Sequence, residues 1–196
     1  MKRKPKNPIS KVRTGTGDMG LTYLKTPDVS KASDLVNFVG DLDEATASLA
    51  LVKVDRTAVT CETVDVQIAM KNLLQISKEI LFQIGAMVHN PTLVDKYHNL
   101  LDDYVSEVTS FTEVVSNNTN FVELFQPLEG FIVPNERNAH EMMSRAIVRR
   151  AERSAVKSDR MWAVPALNAM SDLLFMIAWH NSPPFEQWVG FENING

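Results

Sequence analysis

An all-α fold, an up-and-down bundle of five long helices, is predicted by three features of this 196-residue chain. Apolar residues recur at three/four spacing over long stretches, which is the signature of an amphipathic helix. The stretches are separated by short Pro- or Asn-containing breaks, which favours antiparallel neighbours. No region shows the alternation of strands. With 44% hydrophobic and 22% charged residues, the chain has enough apolar material for one domain with a real core.

Leu35, Val36, Val39, Leu42, Ala45, Leu49 and Val52 place the first helix between Ser33 and Val54, with Ser33 as N-cap. Val64 to His89 forms the second, on Ile68, Leu73, Leu74, Ile76, Ile80, Leu81, Ile84 and Met87, and Pro91 stops it. Thr92 to Val115 forms the third, followed by a loop at Ser116–Asn120. Phe131–Pro134 reads as a short extended piece, and residues 135–158 as the fourth helix. Pro165 sits in the first turn of the fifth, which runs to about His180 before Pro183 and Pro184. Residues 14–30, rich in Gly, Thr and Asp, read as a loop. The expected organisation is a flexible basic arm over residues 1–13, the bundle over 14–181, and a tail over 182–196 whose Phe185, Trp188 and Phe191 pack on the bundle or on a neighbour.

A net charge of -4 argues against general nucleic-acid binding. Lys2, Arg3, Lys4, Lys6, Lys11 and Arg13, with no acid among the first thirteen residues, read as a solvated arm lacking the apolar centre of a secretory signal. Cys61 is the only cysteine, so no disulfide forms within the chain and a cytoplasmic setting is expected. No apolar run is expected to span a membrane. There is no Walker A motif and no GxGxxG. His140-Glu141 lacks the second histidine of HExxH, since Ser144 stands there, and no Glu-x-x-His pair occurs. His89, His98, His140 and His180 read as caps or surface residues, and no protein-held metal site is expected.

Four segments carry chemistry. Arg145-Ala-Ile-Val-Arg149-Arg150-Ala-Glu152-Arg153 packs four arginines and a glutamate into nine residues. At about 3.6 residues per turn, Arg145, Arg149 and Glu152 share one helix face. Such a row of guanidinium forks suits an oligophosphate or a carboxylate, although a salt-bridged surface helix would show the same charges. Thr14-Gly-Thr-Gly-Asp-Met-Gly-Leu-Thr22 can point backbone amides at a phosphate, or be an ordinary turn. Gly40-Asp-Leu-Asp-Glu44 sets carboxylates beside an apolar stripe, Asp41 and Glu44 near one line with Asn37 and Asp43 facing elsewhere; they need cations, either arginines or a metal. Asn168 and Asp172 lie one turn apart on an otherwise apolar helix, where polar groups are normally hydrogen-bonded.

In order and spacing these segments resemble the ATP:cob(I)alamin adenosyltransferases of the propanediol-utilisation (PduO) type, over roughly residues 12–181. The family motifs T-K-x-G-D-x-G-x-T, G-x-x-D-E, F-[IV]-[LV]-P-G-G, R-x-x-x-R-R-A-E-R and L-N-R-L-S-D-x-L-F match Thr14–Thr22, Gly40–Glu44, Phe131–Pro134, Arg145–Arg153 and Leu167–Phe175. The resemblance implies a ferritin-like five-helix bundle assembling as a homotrimer with sites between subunits. It implies ATP, with Mg2+, held by Thr14, Gly15, Thr16, Gly17, Asp18, Thr22, Lys31, Arg149, Arg150, Glu152, Arg153 and Asn168. Asp43 would pair with Arg145 near the corrinoid, and Phe131 would help displace the lower axial ligand of cobalt. Arg149, Asn168 and Arg145 would carry catalysis. The reaction implied is attack of cobalt(I) of cobalamin on the ATP 5′ carbon, with triphosphate leaving. It needs no side-chain nucleophile, only position and charge stabilisation. A flavoprotein reductase and a cobalamin-dependent enzyme are the partners such chemistry calls for, with no role for nucleic acid or membrane.

The chain departs from the family pattern at several places. Gly15 and Met19 replace two loop lysines, Asn135 and Glu136 replace Gly-Gly, Met142 replaces a histidine, Ala169 an arginine, and Trp179 the arginine of many relatives. These departures bear on triphosphate affinity more than on fold. They support an alternative expectation, a weakened corrinoid or nucleotide carrier or sensor on the same bundle; a bundle with no ligand is the third.

Overall fold

The computed structural model describes residues 15, 17–24, 28–54, 64–118, 136 and 138–181. The expected N-terminal arm, the tail, Cys61, Thr14, Thr16 and Phe131 with its extended piece lie outside these residues.

Five helices dominate. α1 spans Asp34–Leu49, α2 Val64–His89, α3 Thr92–Asn118, α4 Ala139–Lys157 and α5 Val164–Asn181, the last entered through a 3-10 turn at Met161–Ala163. The helices pack as a ring in which α1 touches α4, α4 touches α5, α5 touches α3, α3 touches α2, and α2 returns to α1, with α5 also reaching α2. α5 is the innermost, with thirteen of its eighteen residues buried, from Ala166 to Asn181. The core it completes includes Phe38, Leu42, Met70, Ile84, Tyr104, Val148, Leu167 and Leu174.

The expected boundaries hold for α2 and shift elsewhere for local reasons. Ser33 caps α1 as predicted, its hydroxyl accepting from the Val36 amide. α1 ends at Leu49, short of the expected Val54, through tight turns from Ala50, Leu51 and Val52 amides to Ala47, Ser48 and Leu49 carbonyls. Beyond it Val52 and Val54 are buried and Lys53 is exposed, a period of two that keeps the core supplied without a helix. α3 runs through the expected loop to Asn118, and the Ser116 hydroxyl bonds back to the Thr112 carbonyl. α4 begins at Ala139, four residues later than expected.

Three expectations are corrected. Residues 14–30 are not all loop: Leu21–Thr22 (β1) pairs antiparallel with Val29–Ser30 (β2). One helical stretch, Met161–Asn181, is long and apolar enough to cross a membrane, where none was expected; 67% of it is buried inside the bundle, so its apolarity is that of a core helix. His180, expected as a cap or surface residue, is fully buried in the last turn of α5. His89 behaves as a cap, its Nδ1 lying 2.9 Å from the Gly85 carbonyl.

Candidate functional site

Glycine geometry and the β1–β2 ladder organise the N-terminal loop. Gly15 and Gly20 sit at φ 69 and 76, a region that favours glycine. The Asp18 amide donates to the Gly15 carbonyl at 3.4 Å and the Gly20 amide to the Gly17 carbonyl at 3.2 Å, giving two overlapping turns. Pairing of β1 with β2 returns the chain so that the Lys31 amide donates to the Gly20 carbonyl at 2.9 Å. The Lys31 ammonium then lies over Gly17, where an added Cβ would meet Nζ at 2.8 Å. Gly17 and Lys31 are thus brought together, with Asp18 in the adjoining turn and Thr22 in β1 opposite Val29. Of the two positions where the family carries lysine, Gly15 has a backbone that a side chain would strain, while Met19 is 77% exposed on the turn.

The arginines of α4 do not form one face. Consecutive helical positions are about 100° apart, and the structure uses that angle to divide them. Arg150 turns toward α1. Its Nε donates to Asp41 Oδ1 at 3.0 Å and its Nη2 to Glu44 Oε2. Ser154, one turn on, donates to the other Asp41 oxygen. Asp41 and Glu44 therefore find arginine, Asp43 does not, and Arg150, expected at the nucleotide, is bonded to α1. These two bonds hold the Arg150 guanidinium above its ordinary value, Glu44 first and Asp41 second. Between α1 and α4 lies a polar groove of ≈ 650 Å³ lined by Asn37, Gly40, Asp41, Arg150, Arg153 and Lys157 among others.

Arg145 and Arg149 lie on the α5 side. Arg145 is half-buried, its guanidinium carbon 5.6 Å from the centre of the Phe175 ring. Burial holds it below its ordinary value, as does repulsion from Arg149, and Asp172 opposes both. Burial likewise pushes Asp172 above the usual carboxylate range against the pull of Arg145 and Arg149, with Glu152 adding to the rise. The Arg145 Nε is buried with no hydrogen-bond partner among the described residues. Asn168 is exposed one turn before Asp172. Arg153 is exposed and donates to the Arg149 carbonyl at 3.1 Å. The implied pair of Asp43 with Arg145 does not form within the described chain: Asp43 is exposed, and no ion pair joins the two.

Sequence reasoning missed a buried anchor. Glu141, 3% exposed in the first turn of α4, accepts from Asn181 Nδ2 at 3.1 Å and from the Lys53 amide at 3.4 Å. Asn181 Nδ2 also donates to the Lys53 carbonyl at 2.6 Å. The signal was available in Glu141 itself, an acid set among the apolar positions of the first turn.

Among the described residues, then, a five-helix bundle carries Arg145 and Arg149 on the α5 side of α4 and Arg150 on the α1 side. A family model described as cobalamin adenosyltransferase matches residues 12–181. The chain belongs to the cobalamin adenosyltransferase family. No curated protein matches at a significant level. Among solved structures, the chain is similar to PduO-type ATP:corrinoid adenosyltransferase variants from Lactobacillus reuteri. An arginine-to-lysine variant complexed with ATP shares 20% identity, over 84% of this chain and 90% of that one, at a TM-score of 0.52. A phenylalanine-to-alanine variant complexed with cobalamin and ATP shares 18%, over 91% and 98%, at 0.57. A phenylalanine-to-histidine variant, also with cobalamin and ATP, shares 17%, over 90% and 98%, at 0.55. At these identities the likeness establishes the fold.

Proposed function

We propose that this chain transfers the 5′-deoxyadenosyl group of ATP to cob(I)alamin, forming adenosylcobalamin and releasing triphosphate. Family membership carries the activity and its two substrates, ATP and cobalamin. The observation that carries the residue assignment is the α5-side face of α4, where Arg145 is half-buried with an open Nε and Arg149 is exposed beside it. Cations kept there without a full set of acceptors in their own chain suit an anion brought from outside.

In this reading Arg149 and Arg153 bind the triphosphate, with Mg2+ accompanying the nucleotide. Lys31, held over Gly17 by the β1–β2 ladder, adds a cation at the N-terminal loop, to which Asp18 and Thr22 also contribute. Glu152 and Asn168 bound the nucleotide pocket, and Thr14, Gly15, Thr16 and Gly17 supply loop donors. Cobalt(I) attacks the 5′ carbon and the bond to the triphosphate oxygen breaks. The arginines stabilise the charge gathering on that oxygen, and no protein base takes part. Arg145 stands on the corrinoid side, meeting Asp43 of a neighbouring subunit in a homotrimer, with Phe131 against the lower face of cobalt. Work in the cytoplasm, supply by a flavoprotein reductase and delivery to a cobalamin-dependent enzyme complete the reading.

Incubation of the protein with ATP and chemically reduced cobalamin should give the absorbance spectrum of adenosylcobalamin, and ATP titration should show saturable binding. Gly15 and Met19 at family lysine positions favour the carrier or sensor as second reading. Saturable ATP binding without any spectral change would select it and remove the enzyme.

A further inference from the structure

We propose that Arg150 is a positioning residue: clamped to Asp41 and Glu44 of α1, it sets the rotation of α4 about its own axis and so aims Arg149 and Arg153. The inference rests on the proposed function, since it presumes that those two arginines meet the triphosphate.

The clamp has a geometry that a single ion pair lacks. Arg150 and Ser154 are one turn apart on α4, and they take the two oxygens of the same Asp41 carboxylate. Glu44, three residues along α1, takes a second nitrogen of Arg150. Two contacts from α4 and two from α1 oppose both rotation and sliding of one helix on the other. Asp41 is the well-shielded member, its side chain 17% exposed, against 42% for Arg150 and 53% for Glu44. Exposed pairs of this kind add little to stability, so their value lies in direction.

α4 has need of such a device. Its buried side carries Glu141, Ser144, Ile147 and Val148 in the first half and only Ala151 and Ala155 beyond, in the stretch that bears Arg150 and Ser154. Alanines form shallow ridges, and interlocking ridges are what otherwise fix how a helix sits on its neighbour. Arg149 cannot aim itself: it is exposed, and no hydrogen bond or ion pair of its guanidinium is formed among the described residues. Arg153 is tied back to the Arg149 carbonyl, so both follow the α4 backbone. The outer surface of a helix lies about 5–6 Å from its axis, so a rotation of ~20° carries a guanidinium about 2 Å. A misplacement of ~1 Å at a reacting centre can cost about 10²-fold. Arg149 and Arg150 are sequence neighbours, so locking one locks the other.

The test is a kinetic cycle with cob(I)alamin and ATP on Arg150→Gln, Arg149→Lys and the double variant, with ATP affinity measured in parallel. If Arg150 acts by aiming Arg149, Arg149→Lys lowers kcat/KM by ~10²–10³ and Arg150→Gln by roughly 10- to 100-fold, and the double is within about 3-fold of the worse single. Arg150→Lys, which retains one charged contact, recovers part of the loss. Losses that multiply would make Arg150 an independent ligand and overturn the proposal, as would wild-type kinetics in Arg150→Gln. Should Arg150→Gln not fold, Glu44→Gln loosens the clamp from its exposed end and enters the same cycle with a smaller loss. A wild-type protein that forms no adenosylcobalamin would instead overturn the proposed function, and the cycle is then read from ATP affinity alone.

Discussion

Two seams run along α4, and they are finished differently. On the α1 side Arg150 meets Asp41 and Glu44, and Ser154 fills the remaining oxygen of Asp41. On the α5 side Arg145 is pressed against Phe175 with its Nε open, and Arg149 repels it. Asp172 answers both from a half-buried position that disfavours its own charge. Both seams draw on the same nine-residue stretch of α4, so composition does not separate them. The difference is that Arg150 is paired within its own chain, while the Arg145 Nε has no hydrogen-bond partner among the described residues. A buried charge without full partners is costly, and its retention supports the proposal that the α5 side is the working face.

The sharpest way to break this contrast is to ask whether a second subunit closes the open seam. If Asp43 of a neighbour meets Arg145 at a buried boundary, Asp43→Ala or Arg145→Ala should each cost about 3–5 kcal/mol, against ~0–1 for a surface pair. The double variant should cost little more than either single. Denaturation at fixed subunit concentration, together with sedimentation, measures both; additive losses, or a stable monomer at micromolar concentration, would return Arg145 to the unpaired column.

Arg149→Lys keeps a charge on the open seam and removes the planar fork. It should lower kcat/KM by ~10²–10³, or roughly 2.7–4 kcal/mol, with the thermal midpoint unchanged. Full activity in this variant would make the open seam structural. Glu141→Ala tests the anchor beneath both seams, where α4 begins. Loss of its bonds to the Lys53 amide and Asn181 should destabilise the fold by about 1–3 kcal/mol in urea. An unchanged midpoint would mean the anchor is decorative.

Asp172 offers a pH test of the same contrast. Its folded value is raised, so between the ordinary carboxylate value of about 3.9 and that raised value the folded state holds more proton than the unfolded. Its stabilising contribution is therefore present below about 3.9 and is lost as pH rises through the folded value. Asp172→Asn cannot ionise and escapes that loss. The stability difference between variant and wild type should grow in the variant's favour from about pH 4 upward and then level off. A flat difference would show that the arginines cancel the burial completely. The smallest effect is expected at the loop. Met19→Lys restores a charge on an exposed turn and should tighten ATP by less than about 1 kcal/mol. Gly15→Lys should do worse, because φ 69 strains a side chain; titration calorimetry ranks the two.

Much of this was legible in one dimension. Period 3.6 marks a helix wherever it persists, so α2 was read at its observed limits, and Ser33 and Pro165 marked the starts of α1 and α5. The same rule overran at Val52 and Val54, because residues three apart on a helix and two apart on a strand both count as apolar. The short β1–β2 ladder was not legible, since two residues per strand carry no period. Arg145–Arg153 was legible as a site but not as two.

By itself, then, the sequence determined the five helices of the described residues, which helix bears the arginines, and that Asp41 and Glu44 need a cation. These follow from local periodicity and from charge balance, which need no knowledge of neighbours. Only the tertiary structure decided that Arg150 is the cation Asp41 and Glu44 receive, that Arg145 faces Asp172 and Phe175, and that Glu141 is buried against Asn181 and Lys53. Those choices depend on the rotation of each helix in the ring. A turn of ~100° between adjacent residues is enough to send one arginine to a partner and the next to open water.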